Sequence, residues 1–109
     1  MTRSALSPSQ RKKLRQLASL AFEREMIREL DTLERAFHRW RAGDLTVPDL
    51  LDTLQAFHEG PHRKLSVLCF EGDPLPAVAR AVALGFLQNH EVGADLIKNM
   101  KKQIEFFRP

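Results

Sequence analysis

Between Pro8 and Gly43 the chain carries neither glycine nor proline. Leu, Arg, Glu, Ala and Lys, all good helix formers, fill most of that interval. Ser7 offers a hydroxyl cap, and Pro8 sits at the first helical position, where its missing N–H costs nothing. The spacing therefore predicts one helix over roughly 8–41. At 1.5 Å per residue such a rod is about 50 Å long. A compact chain of this length has a radius of gyration of only about 13 Å. The rod must break, or overhang its own domain, or be covered in part by a second copy.

The two halves of this helix carry different faces. Met26, Leu30, Leu33, Phe37 and Trp40 recur in steps of four and three, which is one apolar stripe. Glu25, Arg28, Asp31 and Arg35 are spaced to pair with one another along the opposite, wetted side. Nearer the N-terminus, Leu14, Leu17, Ala18, Ala21 and Phe22 cover a wide arc, centred about 120° or more away from the later stripe. That arc is the expected interface. It is too broad for a short chain to shelter by itself, and a second copy or another protein is expected to cover it.

Beyond the rod, the pattern predicts shorter helices folded back on it. Gly43 stops the first helix. Thr46, with Asp49 three residues on, restarts the chain. Val47, Leu50, Leu51, Leu54 and Phe57 follow at helical spacing, and Glu59-Gly60-Pro61 is expected to end this second helix. Residues 62–70 fit a helical face through Leu65, Leu68 and Cys69, or a short buried strand. With no second strand-like run to pair with, helix is the expectation. Asp73-Pro74 opens a further helix over 75–87. Its single charge, Arg80, marks it as the central element. Gln88 to Glu91 breaks the chain again, and a last helix is expected from about Val92 to Phe107. The fold class is thus an all-α bundle of about five helices, in a single domain over 7–109 behind a loose tail over 1–6.

Charge is unevenly placed. Arg3, Arg11, Lys12, Lys13 and Arg15 lie in the first twenty residues with no acid among them. The remaining chain holds twelve basic and fourteen acidic residues. Arg11, Lys12, Lys13 and Arg15 could grip phosphates, which makes a nucleic-acid-binding regulator the rival reading. Basic–aromatic alternation and a glycine-rich segment, which would strengthen it, are missing. A helix-turn-helix built on Ala81 and Gly85, with Lys98, Asn99, Lys101, Lys102 and Gln103 on its outer face, is a weaker form of the same reading, since Glu91 stands where an aliphatic residue belongs.

One stretch has the outline of a metal motif. His58-Glu59-Gly60-Pro61-His62 matches H-E-x-x-H, which in zinc hydrolases lies within a helix, so that both imidazoles share a face. Pro61 disfavours a regular helix here by ~3 kcal/mol or more. Without a third ligand at the motif's spacing, His58 and His62 are weak metal candidates, and a zinc-dependent hydrolase is a distant alternative. His38 and His58 stand about 9 Å apart along a hairpin axis and would not share an ion. Glycine-rich phosphate loops and nucleophile elbows are absent from the sequence. No catalytic residue, resident metal or cofactor is expected.

The single cysteine, Cys69, allows no intrachain disulfide and suits a reducing, cytoplasmic setting. The first residues lack the apolar core of a signal peptide. No apolar run reaches the length of a membrane span. Together these features predict a non-enzymatic cytoplasmic protein that works by binding protein, as a homo-oligomer or with an unidentified protein partner.

Overall fold

The computed structural model describes residues 6–109. Its first element is the expected rod, α1, over Pro8–Arg41. Its start is a reciprocal cap: the Gln10 N–H donates to Ser7 Oγ at 3.1 Å, and the Ser7 N–H donates to Gln10 Oε1 at 2.9 Å. It ends at Gly43, whose φ of 85° lets the Asp44 N–H turn back to the Arg39 carbonyl at 2.8 Å. Most of the tail expected over 1–6 lies outside the described residues. Leu6 itself packs on the core, and its carbonyl accepts from Arg11 Nη1 at 2.8 Å.

After the turn the chain runs back along α1 as α2 (Val47–Phe57), with the Asp49 N–H donating to the Thr46 hydroxyl at 3.2 Å. The helix does not end at Glu59-Gly60-Pro61 as the sequence suggests. It passes through a single π turn over His58–His62 and continues as α3 (Arg63–Phe70). A π turn opens the hydrogen-bond ladder at one point. A residue without an N–H loses nothing there, so Pro61 is accommodated rather than breaking the chain. The ambiguous 62–70 stretch is helical, and there is no strand among the described residues.

The remaining helices gather at the opposite end of the rod. They are α4 (Leu75–Leu84), α5 (Asn89–Val92), α6 (Ala94–Asn99) and α7 (Lys101–Phe107). α4 stops earlier than its apolar run suggests, because Gly85 takes the left-handed conformation and lets the Phe86 N–H reach the Ala81 carbonyl at 2.8 Å. The single last helix expected over 92–107 is instead two pieces, α6 and α7, and the stretch expected as a break before it, Gln88 to Glu91, starts a helical turn of its own, α5. Gly93 separates α5 from α6, and Met100 separates α6 from α7.

The molecule measures 56 × 23 × 22 Å, with a radius of gyration of 17.1 Å. That exceeds the about 13 Å of a compact chain of this size. The rod does overhang, but at its C-terminal half. The core sits around its N-terminal half, where Leu14, Leu17, Ala18 and Ala21 meet Val78, Leu87, Val92, Leu96, Met100 and Ile104. Small side chains at Ala77, Ala79 and Ala81 of α4 let the helices approach closely there.

Two bidentate ion pairs fasten this cluster to α1. Arg80 on α4 donates to both oxygens of Glu25 at 2.7 and 3.1 Å. Glu25 therefore pairs across helices, not along the wetted side with Arg28. Arg24 donates to both oxygens of Glu91 at 2.8 and 2.7 Å and to the Phe86 carbonyl at 2.8 Å. These contacts join residues 55 and 67 positions apart.

The hydrogen bonds from Arg24, and next the Gln88 N–H at 2.9 Å, hold the Glu91 carboxyl down to about 2. A carboxyl depressed on folding stabilises the fold above the ordinary carboxylate range, and that contribution disappears as pH falls towards 2. Glu91→Gln is therefore expected to lower the melting temperature at pH 7. The gap from the parent should narrow between about pH 5 and pH 2 and close below that. Thermal melts followed by circular dichroism across that range check it, and a gap independent of pH would contradict it.

Candidate functional site

The arc expected to be the interface is not open. Leu14 and Ala18 are 1% and 0% exposed, Leu17 and Ala21 are buried, and Phe22 packs on the same cluster, its ring 4.8 Å from that of Phe70. Helical periodicity says which residues form an apolar face and not what covers it. Here α3 and the C-terminal helices do.

An uncovered apolar surface lies on the other half of the rod. Leu30 and Phe37 of α1 and Val47 and Leu51 of α2 are between 37% and 58% exposed. Their placement follows from helix geometry. On α1 the buried residue Ala36 marks the face turned to α2, and at 100° per residue Leu30 and Phe37 fall on one flank of it. On α2 Leu50 marks the face turned to α1, and Val47 and Leu51 fall on its flank in the same rotational sense. Because the two helices run antiparallel, both flanks open on one side of the hairpin. Phe37 and Leu51 are each seven residues from Asp44 at the turn, so they stand level. Half-buried Leu33 and Leu54 line the seam between them. The result is one continuous apolar face across two helices.

Charge is unevenly divided between the two helices. Residues 35–41 carry Arg35, Arg39 and Arg41 and no acid. Residues 44–59 carry Asp44, Asp49, Asp52 and Glu59 and no lysine or arginine. Arg35 and Arg39 lie two positions from Phe37, and Asp49 two from Leu51, so these three fall away from the apolar face, which on α1 is bordered by Arg41 and Glu34.

No family model matches this chain, and no curated protein or solved structure matches it either.

The other candidates stand as follows. Arg11, Lys12, Lys13 and Arg15 are all exposed on the first turns of α1. Arg11, Lys12 and Arg15 share a side there, whereas Lys13 is on another, its ammonium near Gly93. For the helix-turn-helix reading, α5 is four residues long and is cut from α6 at Gly93, so there is no continuous recognition helix. Cys69 is buried, and that burial pushes its thiol up, away from the reactive thiolate.

His58 and His62 depart furthest from expectation. Pro61 does not separate them. The π turn brings their Nδ1 atoms to 3.4 Å, with ring centroids 5.4 Å apart. Phe57 stacks on His62 with its plane tilted by only 5°. Glu59 is not turned towards the pair but accepts from Gln55 Nε2 at 3.1 Å. No group of three or more His, Cys, Asp or Glu side chains positioned for one ion occurs among the described residues. The arrangement therefore lacks the third ligand and the aimed carboxylate of a zinc hydrolase. No helix among the described residues is long and apolar enough to cross a membrane.

Proposed function

We propose that this protein works without catalysis, as an interaction protein that pairs with a second copy of itself through the α1–α2 hairpin. The observation that carries this is the apolar face formed by Leu30, Phe37, Val47 and Leu51. With its half-buried neighbours it leaves on the order of 400 Å² of apolar surface open, in the range of the largest patch on a typical monomer, which is often functional. A standard interface uses about 800 Å² per partner, and the polar rims supply the remainder.

The opposite charge of the two helices favours a copy of the same chain over an unrelated partner. In a two-fold pairing, whatever α1 does to the partner's α2 is done in return. Residues 35–41 are net basic and α2 is net acidic, so laying α1 of one copy beside α2 of the other brings opposite charge together in both places at once. Two hairpins stacked in this way form a four-helix bundle with the apolar faces inside.

The experiment is light scattering across a range of concentrations on the parent and on Leu51→Asp. The parent is expected to reach dimer mass at micromolar concentration. Leu51→Asp should remain monomeric with unchanged helicity, because residue 51 is exposed in the single chain. A parent that stays monomeric at high micromolar concentration, or a variant that keeps the dimer mass, would refute the pairing.

A further inference from the structure

We propose that His58 and His62 form a two-imidazole binding site for a divalent d-block cation such as zinc, with water completing the ion's coordination shell.

The spacing is that of a chelate. Two zinc–nitrogen bonds of about 2.0–2.1 Å at the tetrahedral angle place the nitrogens about 3.3–3.4 Å apart. The two Nδ1 atoms stand 3.4 Å apart. Without an ion this contact is a hydrogen bond only if one Nδ1 carries a proton. With both protons on the outer Nε2 atoms, the two lone pairs face one another, and a cation between them satisfies both.

The rings are held for this before any ion arrives. His62 is stacked on Phe57 at 5.9 Å between centroids, which fixes its plane. The π turn fixes the backbone on which both histidines stand. π turns are a form of helix strain that recurs at functional positions. Beside the pair lies a solvent-open cavity of about 300 Å³, lined by His58, Glu59, His62, Arg63 and Ser66. It has room for the ion and its waters.

The donor set determines which ions fit. Two neutral imidazole nitrogens suit zinc, nickel and copper, whereas magnesium and calcium require oxygen ligands. With two protein ligands the ion is exchangeable and held less tightly than in a four-ligand structural site. The guanidinium of Arg63, at the edge of the cavity, weakens binding further by repulsion. The site binds an ion and performs no step of chemistry. It is independent of the hairpin pairing, because one chain supplies both ligands.

The test is calorimetric titration of the full, untagged chain with zinc chloride, and separately with magnesium chloride. The same titrations are run on His58→Ala, His62→Ala, His38→Ala and His90→Ala, with circular dichroism confirming that each is folded. The parent is expected to bind one zinc per chain with micromolar affinity and to give no heat with magnesium. Losing either His58 or His62 replaces a chelate by a single ligand and should weaken binding roughly tenfold or more. Losing His38 or His90 should change nothing. Zinc binding that survives undiminished in both His58→Ala and His62→Ala, or that disappears in His38→Ala or His90→Ala, would overturn the assignment.

Discussion

Val78→Asp unfolds the chain. Val78 is 0% exposed in the middle of α4, the helix that joins α1 to the C-terminal cluster. Its neighbours on that helix, Ala77, Ala79 and Ala81, are also buried. A carboxylate placed there has no cationic partner within the apolar cluster. The effective penalty for an unpaired buried ion is several kcal/mol. A domain of this size has only about 5–15 kcal/mol in total. Far-UV circular dichroism and urea denaturation should show a chain largely unfolded at room temperature. Val82, one turn further on, is only half-buried. Val82→Asp is the milder companion, since its carboxylate can reach solvent. A Val78→Asp protein that melts like the parent would mean that α4 is not the centre of the fold.

Leu14→Ala is the next largest effect, at about 2–5 kcal/mol of lost stability, as for other fully buried leucines. The side chain is 1% exposed and ranks among the largest that are completely enclosed. Phe106→Ala removes a bigger side chain, yet that ring is 80% exposed. It should shift stability by no more than about 0.5 kcal/mol. Urea midpoints for the two variants should differ widely, and similar values would contradict the placement of the core. The same reasoning applies to Leu17→Asp. Were Leu17 at an oligomer interface, that substitution would separate subunits and spare helicity. In the core it removes the helicity itself.

What was legible in the sequence was mostly local. The Ser7 cap, the Gly43 stop, the Thr46 restart and the return of α2 along α1 each follow from residues within a few positions of one another. The excess length of the rod was legible too, since it is a matter of counting. Which half would stand uncovered was not. That depends on where Leu87, Val92, Leu96 and Met100 settle, tens of residues away. The Arg24–Glu91 and Glu25–Arg80 pairs were hidden for the same reason.

Two features depart from the sequence pattern for local reasons. Gly93, with φ of 97°, breaks a run that otherwise keeps helical spacing. Pro61 reads as a terminator, yet a single wide turn accommodates it. The same turn sets His58 and His62 together, where the H-E-x-x-H pattern alone implies a break between them. A proline next to a glycine, flanked by strong helix on both sides, was the available signal.

The wide turn at His58–His62 has one more consequence, for the phase of everything after it. An uninterrupted helix starting with Leu50 turned inward would carry Cys69 about 100° round, to the bearing that Leu51 occupies in the open. The surplus residue in the turn winds the following segment back by that amount. Leu65 and Cys69 thereby come to lie beneath the same rod as Leu50. Shortening the turn by one residue would leave a helix just as good in isolation, with its greasy side aimed at water.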